Sequence, residues 1–466
     1  MKKLILPVVL LVLLACNKDE KPGKGREFAD FTTNWTKCWG TSVADDFSGS
    51  VIDNSGNMYF VGASQPDGYL GNIFLTKMSL SNQTVVWSKE FNSGEQDKFW
   101  SPSENGHSNG GGGSRCIALD DAGNVYIAGS VVDGFSEVFV MKIDPSGNVL
   151  WETRWEENSS GLANGEAKAY ALDVSGSRVF VTGETPGAVF LLTLDQATGT
   201  VQPETNVGFD ASAGYNDRGY TIKSVNGDVV YIAGWEGESN SGILYKFSGG
   251  GATFEWQEKI ALGTAHRISD IDLDLNGNIY LAVDFRGVST YIGAMKLTAD
   301  GNLVWAKKFQ GESNDRNNVS SLRILNGSVF IGGRGSYTNY DTGQFGDGTF
   351  INLDLNGNLL HVYNYFAEDN NTGERIEAIH YYNGSIILAG ETWPEYSDIE
   401  GKWYIPVVNE STFSPSLSKL TTISIDGGDG VSYAGSMTVG SISQAMYEPS
   451  EGSKGSADVM IHSITL

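Results

Sequence analysis

Cysteine is nearly absent from this sequence, with three in 466 residues, and a disulfide-stapled scaffold is excluded with it. Histidine is almost as scarce. His107, His266, His361, His380 and His462 form neither an H-x-H nor an H-E-x-x-H spacing, so no metal centre is expected. Basic residues are outnumbered, 31 against 56 acids, for a net charge of −25. An acidic surface of that size excludes nucleic acid as a partner and adsorption to anionic lipid by charge. Sustained helix is missing too, since no stretch carries an apolar 3.6-residue period.

Glycine is abundant, 59 residues, and its placement reveals a repeat. The stretch 115–155 reads as two β-hairpins: apolar runs at 117–119 and 125–128 flank Asp121-Ala122-Gly123-Asn124, and runs at 138–143 and 149–154 flank Asp144-Pro145-Ser146-Gly147-Asn148. The turn glycine recurs about every 50 residues, as Gly56, Gly123, Gly176, Gly227, Gly277, Gly327, Gly384 and Gly430. An aromatic usually follows it, and the second strand closes on Gly62, Gly129, Gly183, Gly234, Gly333, Gly390 or Gly435, with Val283 as the exception. Glycine there suits a sharp exit from a packed strand.

Four short strands repeated at that period predict an all-β fold, a β-propeller of four-stranded antiparallel blades. Eight copies predict eight blades, or seven if the loosely spaced last two are one blade with an insertion. The last copy, 421–466, stops after its third strand. Trp35-Thr36-Lys37-Cys38 resembles the fourth-strand sequences Trp87-Ser88-Lys89-Glu90 and Trp305-Ala306-Lys307-Lys308, so an N-terminal strand is expected to complete that blade. The same register puts Cys38 on an outermost and Cys116 on an innermost strand, too far apart to bridge.

Three segments result: 1–15, 16–31 and the propeller, 32–466. In the first, Met1-Lys2-Lys3 precedes an apolar run at 4–14 that is too short to span a bilayer, and Leu13-Leu14-Ala15-Cys16 follows. This resembles a bacterial lipoprotein signal, which implies cleavage before Cys16, its acylation with palmitate-type chains, and an anchor in the outer membrane of a Gram-negative cell. Lys18-Asp19-Glu20 is similar to the export signal of surface lipoproteins of Bacteroidota and implies an outward-facing protein. As plain composition, the same segment is a polar tether.

Catalytic motifs are few. Gly106-His107-Ser108-Asn109-Gly110 matches G-x-S-x-G but sits in a Ser, Asn and Gly loop, without the strand and helix that strain a nucleophile. Asp272-Leu273-Asp274-Leu275-Asn276-Gly277 opens like a calcium loop, yet its twelfth position is Val283 where Glu is needed. Asp272 and Asp274 then read as polar strand positions leading into a turn.

Bases recur at the starts of the innermost strands: Arg115, Lys168, Arg218, Arg267, Arg316 and Arg375. They could ring one mouth of the central channel and hold a carboxylate or phosphate, or they could pair with acids between blades. The loops on that face carry aromatics, Trp235, Trp393 and Tyr396 among them, which suit sugar stacking or protein contacts or else pin their own loops.

The copies D-x-x-G-N-x-Y-x-x-G and F-x-x-K-x-D-x-x-G-N-x-x-W, seen over 120–151, resemble the β-propeller repeats of secreted and lipid-anchored bacterial proteins labelled SBBP. Residues 142–151 are also similar to quinoprotein-like repeats, from which the chain departs in lacking a docking tryptophan in every blade; a quinone is not expected, nor any other cofactor. The SBBP resemblance implies no catalytic residue. The expectation is a lipid-anchored, surface-exposed scaffold without catalysis, bound to an outer-membrane protein or β-barrel complex. The alternatives are a glycan or small-anion receptor and a carbohydrate-active enzyme whose carboxylates the sequence does not single out.

Overall fold

The computed structural model describes residues 27–28, 31–40, 45–64, 71–99, 115–133, 135–156, 166–209, 217–264, 266–285, 290–310, 317–335, 347–367, 373–392, 401–406, 408–422, 431–433, 438–441 and 458–466. Their strands form seven antiparallel sheets arranged around an axis as the blades of a β-propeller. Blades 1 to 6 take the chain in order, over 45–92, 117–156, 168–209, 218–261, 266–310 and 318–367. Blade 7 is composite: Glu374–Tyr382 and Ser385–Thr392 are followed by Asp458–Thr465, and Thr32–Trp39 pairs outside it. Closure by the N-terminal strand is therefore as expected, with Thr32 opposite Thr465 and Trp39 opposite Val459.

The strands are buried on both faces, which is why they read as near-continuous apolar runs. In blade 3 every residue of 188–194 is buried. The core lies between blades: Tyr59, Val61 and Leu75 of blade 1 pack on Ile117, Ile127 and Phe139 of blade 2, and comparable clusters fill the other seams. Burial at about 25 cal/mol per Å² makes these seams the main source of stability.

One face of the disc carries the hairpin turns and shows what the repeat residues are for. The aspartate opening each D-x-x-G-N turn accepts from backbone N–H groups two and four residues on, from the Asn side chain and, in three blades, from the following tyrosine: Asp120 meets Tyr126 at 2.9 Å and Asp274 meets Tyr280 at 3.1 Å. Asp274 is thus a turn residue, as its sequence setting suggests. The third-strand lysine and fourth-strand tryptophan clamp the next blade. Lys77 and Trp87 both donate to Pro145 O, Lys142 and Trp151 to Gln196 O, Lys296 and Trp305 to Leu355 O.

The clamp explains the second turn glycine of the repeat. Gly357 has φ +82°, and a Cβ there would lie 2.8 Å from Trp305 of the preceding blade. Gly357→Ala is expected to cost about 2–4 kcal/mol from left-handed strain and overpacking. Urea unfolding checks it, and Trp305→Ala in the same chain should return part of the loss, since the two sites touch.

The blades number seven, not eight. Gly430, read as the turn of an eighth copy, lies outside the described residues, and Val431–Tyr433 after it pairs with Arg154, Trp155 and Glu156 on the rim of blade 2. Residues 393–457 intervene between the second and third strands of blade 7. Gly401–Ile405 adds to the outer strand of blade 6, Asn409–Thr412 to blade 5, Ser416–Leu420 to blade 4, Val431–Tyr433 to blade 2 and Thr438–Ser441 to blade 1. The described strands of this segment thus meet blades 6, 5, 4, 2 and 1 in turn, against the order of the blades, as a belt on the rim, before Asp458–Thr465 enters blade 7. Belt strands are three to five residues long, too short for a period-2 pattern to mark them as edges of other blades.

Cys38 and Cys116 are both buried thiols. The Cys116 thiol donates to Ser48 O, and burial pushes its pKa upward.

Candidate functional site

The innermost strands share an irregularity. In blades 1 and 3 to 7 the pairing of strands one and two slips by one residue, leaving Ser48, Tyr170, Tyr220, Ser269, Ser320 and Glu377 as inserted residues. A bulge of this kind re-aims a side chain. The glycine ending strand two is what permits it. A Cβ at Gly183 would sit 1.7 Å from Lys168 O, at Gly234 1.8 Å from Arg218 O, and at Gly390 1.9 Å from Arg375 O. These glycines therefore serve close backbone approach at the bulge, in addition to any sharp exit. Blade 5 keeps the bulge with Val283 in that place.

Below the bulges the channel is filled. Arg115 of blade 2 reaches to blade 5, where its Nε donates to Asp270 at 2.9 Å. Asp270, 1% exposed, also accepts from Thr221 Oγ1, the Ile271 and Leu322 backbone N–H groups and, at 2.6 Å, Arg323. Burial opposes ionisation, yet the guanidinium groups of Arg115 and Arg323 and the backbone donors hold its carboxyl below the usual range. Asp272 accepts from Ile324 N, with Lys223 at 3.9 Å, and Asp173 accepts from Ser224. His380 meets Ser50 at 2.8 Å; burial beside Arg323 and Arg115 holds its pKa at about 3, so it is neutral.

The mouth lies above this plug, at the starts of strands one and the ends of strands two. Lys168, Arg218, Arg267 and Arg375 hold one register position in blades 3, 4, 5 and 7. Each has an acid beside it. Lys168 and Arg218 share Glu184, at 3.0 and 2.5 Å; Arg267 meets Asp284 at 2.7 Å and Arg375 meets Glu391 at 3.9 Å. Arg115, expected in the same ring, stands deeper, in the plug. Arg316, Trp393, Tyr396 and Cys16 lie outside the described residues.

Rings stand between these pairs. Tyr170 and Tyr220 meet edge to face at 5.2 Å, Arg218 lies 5.5 Å over Trp235, and Arg267 lies 5.8 Å over Tyr220. Burial and Glu184 keep the Tyr170 phenol protonated. Beside them Glu166, Lys168, Glu184, Thr185 and Pro186 line a cavity of about 120 Å³. On the blade 7 side, the Glu377 carboxyl is 1% exposed; burial and then Glu391 push its pKa well above the carboxylate range. Among the described residues no group of three His, Cys, Asp or Glu is placed to hold a metal ion. Tyr170, Tyr220, Glu184 and Glu377 are legible in sequence only once the bulge register is known.

No family model matches the chain, and no curated protein matches it. Solved structures do. An ulvan lyase of polysaccharide lyase family PL25 aligns over 80% of this chain and 98% of its own at 10% identity and TM-score 0.44. The endosialidase of phage phi92 aligns over 82% and 70% at 10% identity and TM-score 0.39. A europium-containing methanol dehydrogenase aligns over 80% and 85% at 10% identity and TM-score 0.41. Enzymes stand among these propellers, against the expectation of a chain without catalysis. At such identity the likeness speaks for the fold alone.

Proposed function

We propose that this chain is an SBBP-type lipoprotein, tethered at the outer membrane through acylated Cys16, which takes a glycan over the mouth of its channel and acts on it. One observation carries the reading. The described bases of the mouth face carboxylates, and Tyr170, Tyr220 and Trp235 lie among the pairs. Paired donors and acceptors beside aromatic faces suit a polyhydroxylated ligand better than an isolated anion. Glu377, whose pKa burial and Glu391 raise well above the carboxylate range, is the acid this reading assigns.

A glycan panel tests it, read by thermal shift for binding and by new chain ends for cleavage. Trp235→Ala is expected to weaken binding about tenfold, some 1.4 kcal/mol, with little change in melting temperature because Trp235 is only half-buried. Glu377→Gln should keep binding and abolish product. If no glycan shifts the protein and a membrane β-barrel co-purifies with it in constant ratio, the scaffold role replaces this one.

A further inference from the structure

The turn face carries apolar side chains at a repeated position. Val86, Leu150, Val304 and Leu360 each stand one residue before the tryptophan or histidine of the fourth strand in blades 1, 2, 5 and 6, and each is 45–53% exposed. Leu303 is exposed beside Val304, and Leu275 projects fully from the tip of the first turn of blade 5. Tyr381 and Leu466, exposed on blade 7, lie at the same end of their strands. Scattered apolar residues are ordinary on a surface. These share one face, and four share one repeat position.

The polarity of blade 7 says what that face meets. Thr392 and Asp458 pair at the mouth end, so Asp458–Thr465 runs toward the turns, and Thr32, opposite Thr465, lies on the turn face. Before it, Glu27–Phe28 pairs with Ile405 and Tyr404 on the rim of blade 6 and runs away from the turn face. Cys16 stands 11 residues before Glu27, a reach of at most about 40 Å fully extended. The aspartates that open five of the turns direct their carboxylates into those turns, while Asp121, Asp228 and Asp300 are exposed beside the aliphatic side chains, so the face suits uncharged lipid.

We propose that the turn face rests on the bilayer surface, with Val86, Leu150, Leu275, Val304 and Leu360 against the lipid and the mouth turned away. The inference rests on the acylation of Cys16 proposed above, and its test separates the two. Fluorophores are placed at Leu275→Cys on the turn face and, separately, at Pro186→Cys on the mouth face, in acylated protein on phosphatidylcholine vesicles containing spin-labelled lipid. The buried Cys38 and Cys116 are left in place. Quenching at position 275 is expected to exceed that at 186 severalfold; equal quenching, or the reverse order, overturns the proposal. Leu150→Asp, Val304→Asp and Leu360→Asp together should remove the difference at unchanged melting temperature. Persistence of the difference would mean that the tether alone orients the disc, which also overturns it. Mass analysis of the N-terminal peptide reports acylation independently. If Cys16 is unmodified, mature protein carrying Cys16→Ser and an N-terminal hexahistidine on nickel-chelating lipid gives the same comparison. A concentration-dependent dimer without vesicles that masks position 275 would assign the face to a second copy and overturn the lipid contact.

Discussion

Asp270→Ala is expected to remove about 3–5 kcal/mol of stability, because it strands two buried guanidinium groups rather than one polar contact. Arg115 and Arg323 both donate to this carboxylate, which Thr221 and two backbone N–H groups also satisfy. Guanidinium chloride unfolding measures the loss. Replacing all three charged residues together, as Arg115→Met, Asp270→Leu and Arg323→Met, should recover most of it, since a buried ion cluster contributes little net stability over well-packed apolar groups. Failure of the triple variant to recover would mean that the plug positions the inner strands. The pH dependence follows from the depressed pKa of Asp270. Its contribution is present above the unfolded-state carboxylate pKa and is lost as pH falls through the lower folded value. Asp270→Asn should therefore show a shallower loss of stability on the acid side.

Excising the belt is expected to give a closed ring that is weaker and less soluble. Thr392 and Asp458 are opposite one another in adjacent strands, so a two-residue Asn-Gly turn can join them in place of residues 393–457. The belt's Trp403 is 6% exposed, 5.1 Å from Tyr365 and 5.3 Å from His462, and Phe413 meets Phe285 edge to face at 5.2 Å. Losing Trp403 alone costs about 3–5 kcal/mol. The outer strands of blades 1, 2, 4, 5 and 6 would become open edges, and open edges associate. A lower melting temperature and concentration-dependent association in gel filtration are the expected readouts. A monomer of unchanged melting temperature would show the belt to be dispensable.

The propeller was legible because the repeat writes it down: turn aspartate and glycine, tyrosine, lysine and tryptophan each have a place in the turn-and-clamp geometry. Terminal closure was legible in Trp35-Thr36-Lys37-Cys38. Blade number was legible only as the alternative of seven, with the last two copies as one blade and an insertion. Gly430-Val431-Ser432-Tyr433 imitates the start of a second strand, and a strand of three residues carries no mark of its partner. At the mouth, the bases at the strand starts were visible as charges, whereas the sequence did not say which acids they meet. Asp217 accepts from Gly237 N, and the acid that Arg218 uses is Glu184 of the neighbouring blade. Cross-strand partners 16 residues apart, as Lys168 and Glu184 are, follow from register, and here a bulge hidden in the spacing of the glycines sets the register.

The two segments that complete blade 7, Thr32–Trp39 and Asp458–Thr465, come from distant parts of the chain: Thr36 and its partner His462 are 426 residues apart. The second segment arrives only after the belt has passed the other blades. During synthesis the first of them therefore waits, unpaired, while six blades are made. A propeller assembled this way finishes late and all at once. Its vulnerable state is the nearly complete ring, which must be kept from aggregation or proteolysis until Asp458–Thr465 slides between Ser385–Thr392 and the waiting strand.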